Sequence, residues 1–166
     1  MDKTGKMVIP QRFSTANNFS EGLAWVYTNL DDDGGYIDKT GKMVIKVDCV
    51  VAGDFSEGLA WVEIDNKYGY IDRTGKIVIE PQFDDAHSSY SNFSEGLAGV
   101  TIRGNSCYID KTGKIIINLK SNMRCSPFSG GLAKVETRGL YRQLAGRIGK
   151  IGYIDKTGKY VWEPTE

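Results

Sequence analysis

The residues best equipped for chemistry are His87 and its neighbours. His87 is the single histidine of the chain and follows Asp84 and Asp85 in the stretch DDAHSSY. An imidazole beside two carboxylates has the donor types of a metal site. A protein zinc site takes three or four ligands, however, and no second histidine stands near to complete the set. A serine hydrolase would pass its proton through the same imidazole, but no G-x-S-x-G elbow accompanies it. His87 therefore reads as a solvated loop residue. The stretch NLDDDGG, from Asn29 to Gly35, sets three carboxylates before two glycines and hints at calcium. It lacks the alternating ligand spacing and closing glutamate of an EF-hand loop, so an acidic hairpin turn is the better reading. No dinucleotide-binding glycine run or P-loop occurs. Cys49, Cys107 and Cys125 form an odd set without a C-x-x-C pair, which suits neither a disulfide framework nor a zinc site. Three reduced, partly buried thiols are expected, leaning towards a reducing, cytoplasmic setting. Neither a metal nor a cofactor is expected.

The remaining polar residues recur, and recurrence changes their meaning. D-K-T-G-K begins at Asp2, Asp38, Asp110 and Asp155, and D-R-T-G-K at Asp72. F-S-E-G-L-A-W-V begins at Phe19 and the same phrase starts at Phe55, with F-S-E-G-L-A-G-V at Phe93 and F-S-G-G-L-A-K-V at Phe128. A catalytic group is placed once, in a unique environment, whereas these residues return wherever the chain must reverse. In I-D-x-T-G-K the aspartate suits a hydrogen bond from a backbone N–H two residues on. The next two residues suit the centre of a type I turn, and glycine supplies the left-handed residue that closes the hairpin with a bulge. Asp38 with Gly41, Asp72 with Gly75, Asp110 with Gly113, and Asp155 with Gly158 are thus read as structural turns. The acids Glu21, Glu57 and Glu95 recur in the same way, but Gly130 replaces them in the fourth copy, and a turn is preferred over an acidic site.

The elements that carry these turns follow from the spacing. The period is about 36 residues, which marks a repeat architecture. Alternation is two-fold: Leu59, Trp61 and Glu63 point one way, and Ala60, Val62 and Ile64 the other. No helical apolar stripe is present. Each unit holds three short extended segments. A single repeat domain over 1–166 is expected, with a partial unit at 1–18 and units at 19–54, 55–92, 93–127 and 128–166. The fold class is all-β, an array of tandem antiparallel hairpins. An open, solenoid-like array is preferred to a closed, propeller-like ring, because both ends of the chain carry the same piece. That also fits a segment of a longer array. Lysine and arginine together number 21, as do aspartate and glutamate. A neutral chain of this kind is not expected to bind nucleic acid or an anionic membrane surface. No apolar run approaches the length of a membrane span, and no secretory leader is visible.

The combined phrases resemble the WG repeat family of bacterial proteins. Its unit reads F-x-E-G-L-A-x-V, then W/Y-G-Y-I-D-x-x-G-K, then an apolar V-V-I-x-P-x-F tail. Four full copies and one partial copy cover nearly the whole chain. The namesake Trp-Gly pair is replaced by Gly34-Gly35, Tyr68-Gly69, Ser106-Cys107 and Ile151-Gly152. The resemblance implies an all-β repeat module that serves as an interaction scaffold, without enzymatic activity and without a cofactor.

Two features differ between copies, and sites lie where repeats differ. The x of L-A-x-V reads Trp25, Trp61, Gly99 and Lys134. Trp25 and Trp61, with Tyr27 nearby, form either an exposed aromatic row for a protein or glycan, or the cover of a second core between units. The fourth copy carries the insertion T-R-G-L-Y-R-Q-L-A-G-R-I-G-K, in which Arg138, Tyr141, Arg142 and Arg147 offer a basic, partly aromatic loop to an acidic partner. The expected function is a non-catalytic scaffold for protein–protein recognition. The alternative is a carbohydrate or cell-wall glycan module that uses the tryptophan row.

Overall fold

The computed structural model describes residues 8–9, 12–28, 33–49, 51–86, 91–119, 123–137 and 150–162. The L-A-x-V phrases form β2 (Leu23–Thr28), β5 (Leu59–Ile64), β8 (Ala98–Ile102) and β12 (Leu132–Thr137). The segments leading into D-x-T-G-K form β3 (Asp33–Asp38), β6 (Lys67–Asp72), β9 (Asn105–Ile109) and β13 (Ile151–Asp155). The apolar tails form β4 (Met43–Val47), β7 (Ile77–Phe83), β10 (Ile115–Asn118) and β14 (Tyr160–Trp162). Two further strands, β1 (Thr15–Ala16) and β11 (Met123–Cys125), precede their L-A-x-V strands. The strands pair as four antiparallel sheets in the orders β1-β2-β3-β4, β5-β6-β7, β8-β9-β10 and β11-β12-β13-β14. No α-helix occurs among the described residues, and no sheet closes into a barrel. The chain is an all-β tandem repeat.

Each repeat has one more extended segment than the three expected. The residues ahead of F-S-x-G run along the L-A-x-V strand as its outer neighbour. The N–H groups of Asn17, Gly53 and Ser126 donate to the carbonyls of Trp25, Trp61 and Lys134, each at 2.9 Å. The segment ahead of Phe55 pairs through the bridge Ala52–Val62, and the one ahead of Phe93 through Asp85–Thr101. Its sequence does not alternate, because a short edge strand is held by backbone bonds more than by a buried face.

The chain divides into two compact units, Met1–Gln82 and Phe83–Glu166. In the first unit two sheets bury a common core. Leu23, Trp25, Tyr36 and Ile45 of one sheet cluster with Phe55, Ala60, Val62 and Ile71 of the next. The opposite face of the first sheet is also buried, since Ala24, Val26 and Ile37 pack with Ile9, Phe13 and Met43. In the second unit Leu97, Tyr108 and Ile117 cluster with Phe128, Ala133, Val135 and Ile154. The logic is the same in both. The Ala-x-Val face of one sheet covers the Leu-x-x, Tyr and Ile face of the sheet before it. Burying each such large side chain contributes about 1.5–3 kcal/mol, so the core favours sheets stacked through faces of opposite composition.

The pairing of β6 with β7 explains Gly69, the glycine of the Tyr-Gly pair. A Cβ at this position would fall 2.5 Å from the Ile79 carbonyl oxygen. A real Cβ does not come so near a backbone atom, so glycine lets β6 and β7 pair at this point.

Candidate functional site

The four described D-x-T-G-K carboxylates are each held through one oxygen by their own turns. One oxygen of Asp38 accepts the Thr40 hydroxyl at 2.6 Å, the Thr40 N–H at 2.8 Å and the Lys42 N–H at 3.1 Å. Asp72, Asp110 and Asp155 make the same three bonds with Thr74 and Lys76, Thr112 and Lys114, and Thr157 and Lys159. The Gly41 N–H closes the turn on the Asp38 carbonyl at 2.9 Å, with φ of 83° at Gly41, and Gly75, Gly113 and Gly158 repeat this. Further along, Tyr36 pairs with Ile45 and Ile37 with Met43, so a second bulge falls at Val44. The threonine hydroxyl, ahead of the backbone donors, holds all four carboxyls below the ordinary aspartate value. A carboxylate so held is a poor base.

The F-S-E-G phrases close a tighter turn and then reach into the next repeat. Ser20 and Leu23 exchange backbone bonds of 2.8 and 2.9 Å, and both residues between them have positive φ. Glu21, Glu57 and Glu95 therefore sit in a conformation that glutamate disfavours. For Glu21 and Glu95 the reason is a contact. The Glu21 carboxylate accepts the Gly58 N–H at 3.1 Å and pairs with Arg73 at 3.3 Å. In the second unit Glu95 accepts the Gly131 N–H at 3.1 Å and pairs with Lys156 at 3.0 Å. Arg73 and Lys156 also donate to the backbone carbonyls of Glu21 and Glu95. Sequence reasoning missed this clasp. Its signal was the joint recurrence of glutamate in F-S-E-G with a cation in D-x-T-G-K one unit later.

The tyrosines of Y-I-D form a second junction. Tyr36 and Phe55 lie 4.7 Å apart by ring centroids, and the Tyr36 hydroxyl donates to the Gly53 carbonyl at 2.7 Å. Tyr108 and Phe128 lie 4.9 Å apart, and the Tyr108 hydroxyl donates to the Ser126 carbonyl at 2.6 Å. The serines of F-S-x-G complete it, since Ser20 and Ser94 donate to the carbonyls of Phe55 and Phe128.

Of the two readings of the tryptophans, the exposed row is not formed and the cover of a second core is. Trp25 is 2 % exposed and Trp61 is 7 % exposed. Trp25 meets Tyr36 edge-on at 5.3 Å, and Trp61 meets Tyr68 at 5.9 Å. Trp25 lies over Gly34 and Trp61 over Gly53, where any side chain would collide with the indole. The physical reason is that both faces of these sheets are covered, so the face opposite Ala and Val is a second interior rather than a surface. Tyr27 is half-buried, and its carbonyl accepts both the Ser14 N–H and hydroxyl. Arg138, Tyr141, Arg142 and Arg147 lie outside the described residues, as do His87 and the turn residues 29–32.

Apolar exposure lies elsewhere. Val44, Val78, Ile116 and Val161 are all exposed, on β4, β7, β10 and β14. Each stands six residues after its turn aspartate, and Ile115 on β10 and Trp162 on β14 are exposed beside them. The face of β12–β14 that carries Leu132, Tyr153 and Trp162 is exposed too, with Tyr153 and Trp162 rings 6.1 Å apart. The three cysteines are free thiols in buried positions. Burial pushes Cys49 up to about 12 and Cys107 up to about 11. Among the described residues, no group of three or more His, Cys, Asp and Glu side chains is placed to hold a metal ion.

The repeat profile described as "WG containing repeat" matches residues 1–29, 35–68, 68–105 and 108–141. The chain belongs to the WG-containing repeat family. No curated protein matches it.

Proposed function

We propose that the chain is a non-catalytic scaffold for protein–protein recognition. The observation that supports this reading is the exposed apolar residue on the outer strand of every sheet: Val44, Val78, Ile116 and Val161. The recurring aspartates, the two described clasp glutamates and the tyrosines all have assigned roles in turns and junctions. The outward valines and isoleucine have none. A strand with a free edge and an apolar side chain offers a partner strand both backbone hydrogen bonds and a side-chain pocket, the two ingredients of strand addition. The glycan reading rested on a row formed by Trp25 and Trp61, and their burial removes that platform.

The test is site-specific photocrosslinking. A photoreactive residue at position 78 or 116 should yield one discrete, saturable adduct from host lysate, and the same residue at the buried position 62 should yield none. Adducts that are diffuse, or equal at all three positions, would contradict recognition by these edges.

A further inference from the structure

Two halves of the tyrosine–phenylalanine junction are left uncovered, at Phe19 and at Tyr153. Phe55 and Phe128 are buried against Tyr36 and Tyr108, and Phe93 is buried as well. Phe19, in the same phrase, is 42 % exposed. Tyr36, Tyr70 and Tyr108 are fully buried, whereas Tyr153, at the same place in its sheet, is 40 % exposed. Leu132 follows suit, exposed where Leu23, Leu59 and Leu97 are buried. One element is a plug and the other a socket, of the chemistry that joins consecutive sheets inside each compact unit.

We propose that a second copy of this chain fills them, with Phe19 of one copy seated on Tyr153 of another. The junctions already in the structure fix the contacts. Tyrosine donates to the carbonyl two residues ahead of the phenylalanine, at Gly53 and Ser126. The Tyr153 hydroxyl accordingly meets the carbonyl of Asn17. The phrase serine donates to the phenylalanine carbonyl, which brings the Ser129 hydroxyl to the Phe19 carbonyl. Plug and socket are different surfaces of the chain, so the contact is heterologous, and each copy can engage one copy through its plug and another through its socket.

Two features weaken this junction relative to the internal ones. Gly130 stands where Glu21 and Glu95 carry the clasp carboxylate, so the ion pair and its N–H bond are lost. In addition, Ile9 already lies against Gly41 as Ile45 lies against Gly75. The segment at residues 8–9 thus holds the place that an incoming β14 would claim. The three-residue β14, with Val161 and Trp162 both turned outward, is the strand that yields. The association is therefore reversible, and Trp162 changes surroundings when it forms.

Sedimentation velocity over a wide concentration series tests this. The native chain should sediment faster as concentration rises, and Phe19→Ala and Tyr153→Ala should each remain monomeric with unchanged melting. An equimolar mixture of the two variants should form a pair and nothing larger, since it holds one intact plug and one intact socket. Leu132→Asp serves as a second socket variant should Tyr153→Ala lose its fold. A native chain that stays monomeric throughout, or one whose association survives both single variants, overturns the proposal.

Discussion

Glu21 reaches 37 residues along the chain to accept the Gly58 N–H at 3.1 Å, from a backbone whose φ is 50°. The left-handed conformation costs a residue with a side chain about 1 kcal/mol relative to glycine. The clasp offsets that cost. Glu21→Ala keeps the unfavourable backbone and loses the clasp, whereas Glu21→Gly loses the clasp but relieves the backbone. Thermal unfolding should therefore rank native and Glu21→Gly close together, with Glu21→Ala lower by about 1 kcal/mol. Equal loss in both variants would show that the backbone is not strained there.

The four turn aspartates make stability depend on acid pH. Each carboxyl lies below its ordinary value in the folded chain, chiefly through the threonine hydroxyl. A lowered folded value means that the unfolded chain binds protons first, so stability is complete above about pH 4 and falls as pH drops through the folded value. Replacing Thr40 by alanine should move the Asp38 carboxyl back up towards its ordinary value and leave Asp72 unmoved, as read by carboxyl NMR titration. An unmoved Asp38 would remove the hydroxyl from the explanation.

The Tyr36 hydroxyl is a sharper probe, because it is buried and its acceptor is a backbone carbonyl. Tyr36→Phe should cost about 1–2 kcal/mol in denaturant unfolding, and Tyr108→Phe a similar amount. Tyr36→Ala, which also empties the space against Phe55, should cost about 3–5 kcal/mol. A neutral Tyr36→Phe would mean that the carbonyl of Gly53 finds water instead.

The thiols should be silent in the folded state. Cys49, Cys107 and Cys125 are all buried, and burial raises Cys49 to about 12 and Cys107 to about 11. The thiolate is the reactive form, so an aromatic disulfide reagent at pH 8 should modify none of the three in the native chain and all of them in denaturant. Rapid labelling of the native chain would show that the stacked sheets open readily.

Turns and strands were legible because their chemistry is local. Asp38, Thr40 and Gly41 determine one another's geometry within four residues, and L-A-x-V alternates with period two. The faces were not legible in the same way. Alternation in Leu59-Ala60-Trp61-Val62 separates two sides but does not tell water from a second core, and Trp61 proves to be on a buried side. The leading strand around Ala52 lacked alternation altogether, and only its fixed eight-residue offset from the L-A-x-V strand, as between Gly53 and Trp61, marked it. The Glu21–Arg73 clasp spans 52 residues, and became visible only once the stacking brought consecutive turns together.

Recognition by the outer strands has one direct measurement. Val44, Val78, Ile116 and Val161 are all changed to lysine, and saturable capture of the crosslinked partner is compared with the native chain, alongside melting. These side chains are exposed, so melting should hold while capture disappears. Capture that persists undiminished in the folded variant would contradict recognition by these edges.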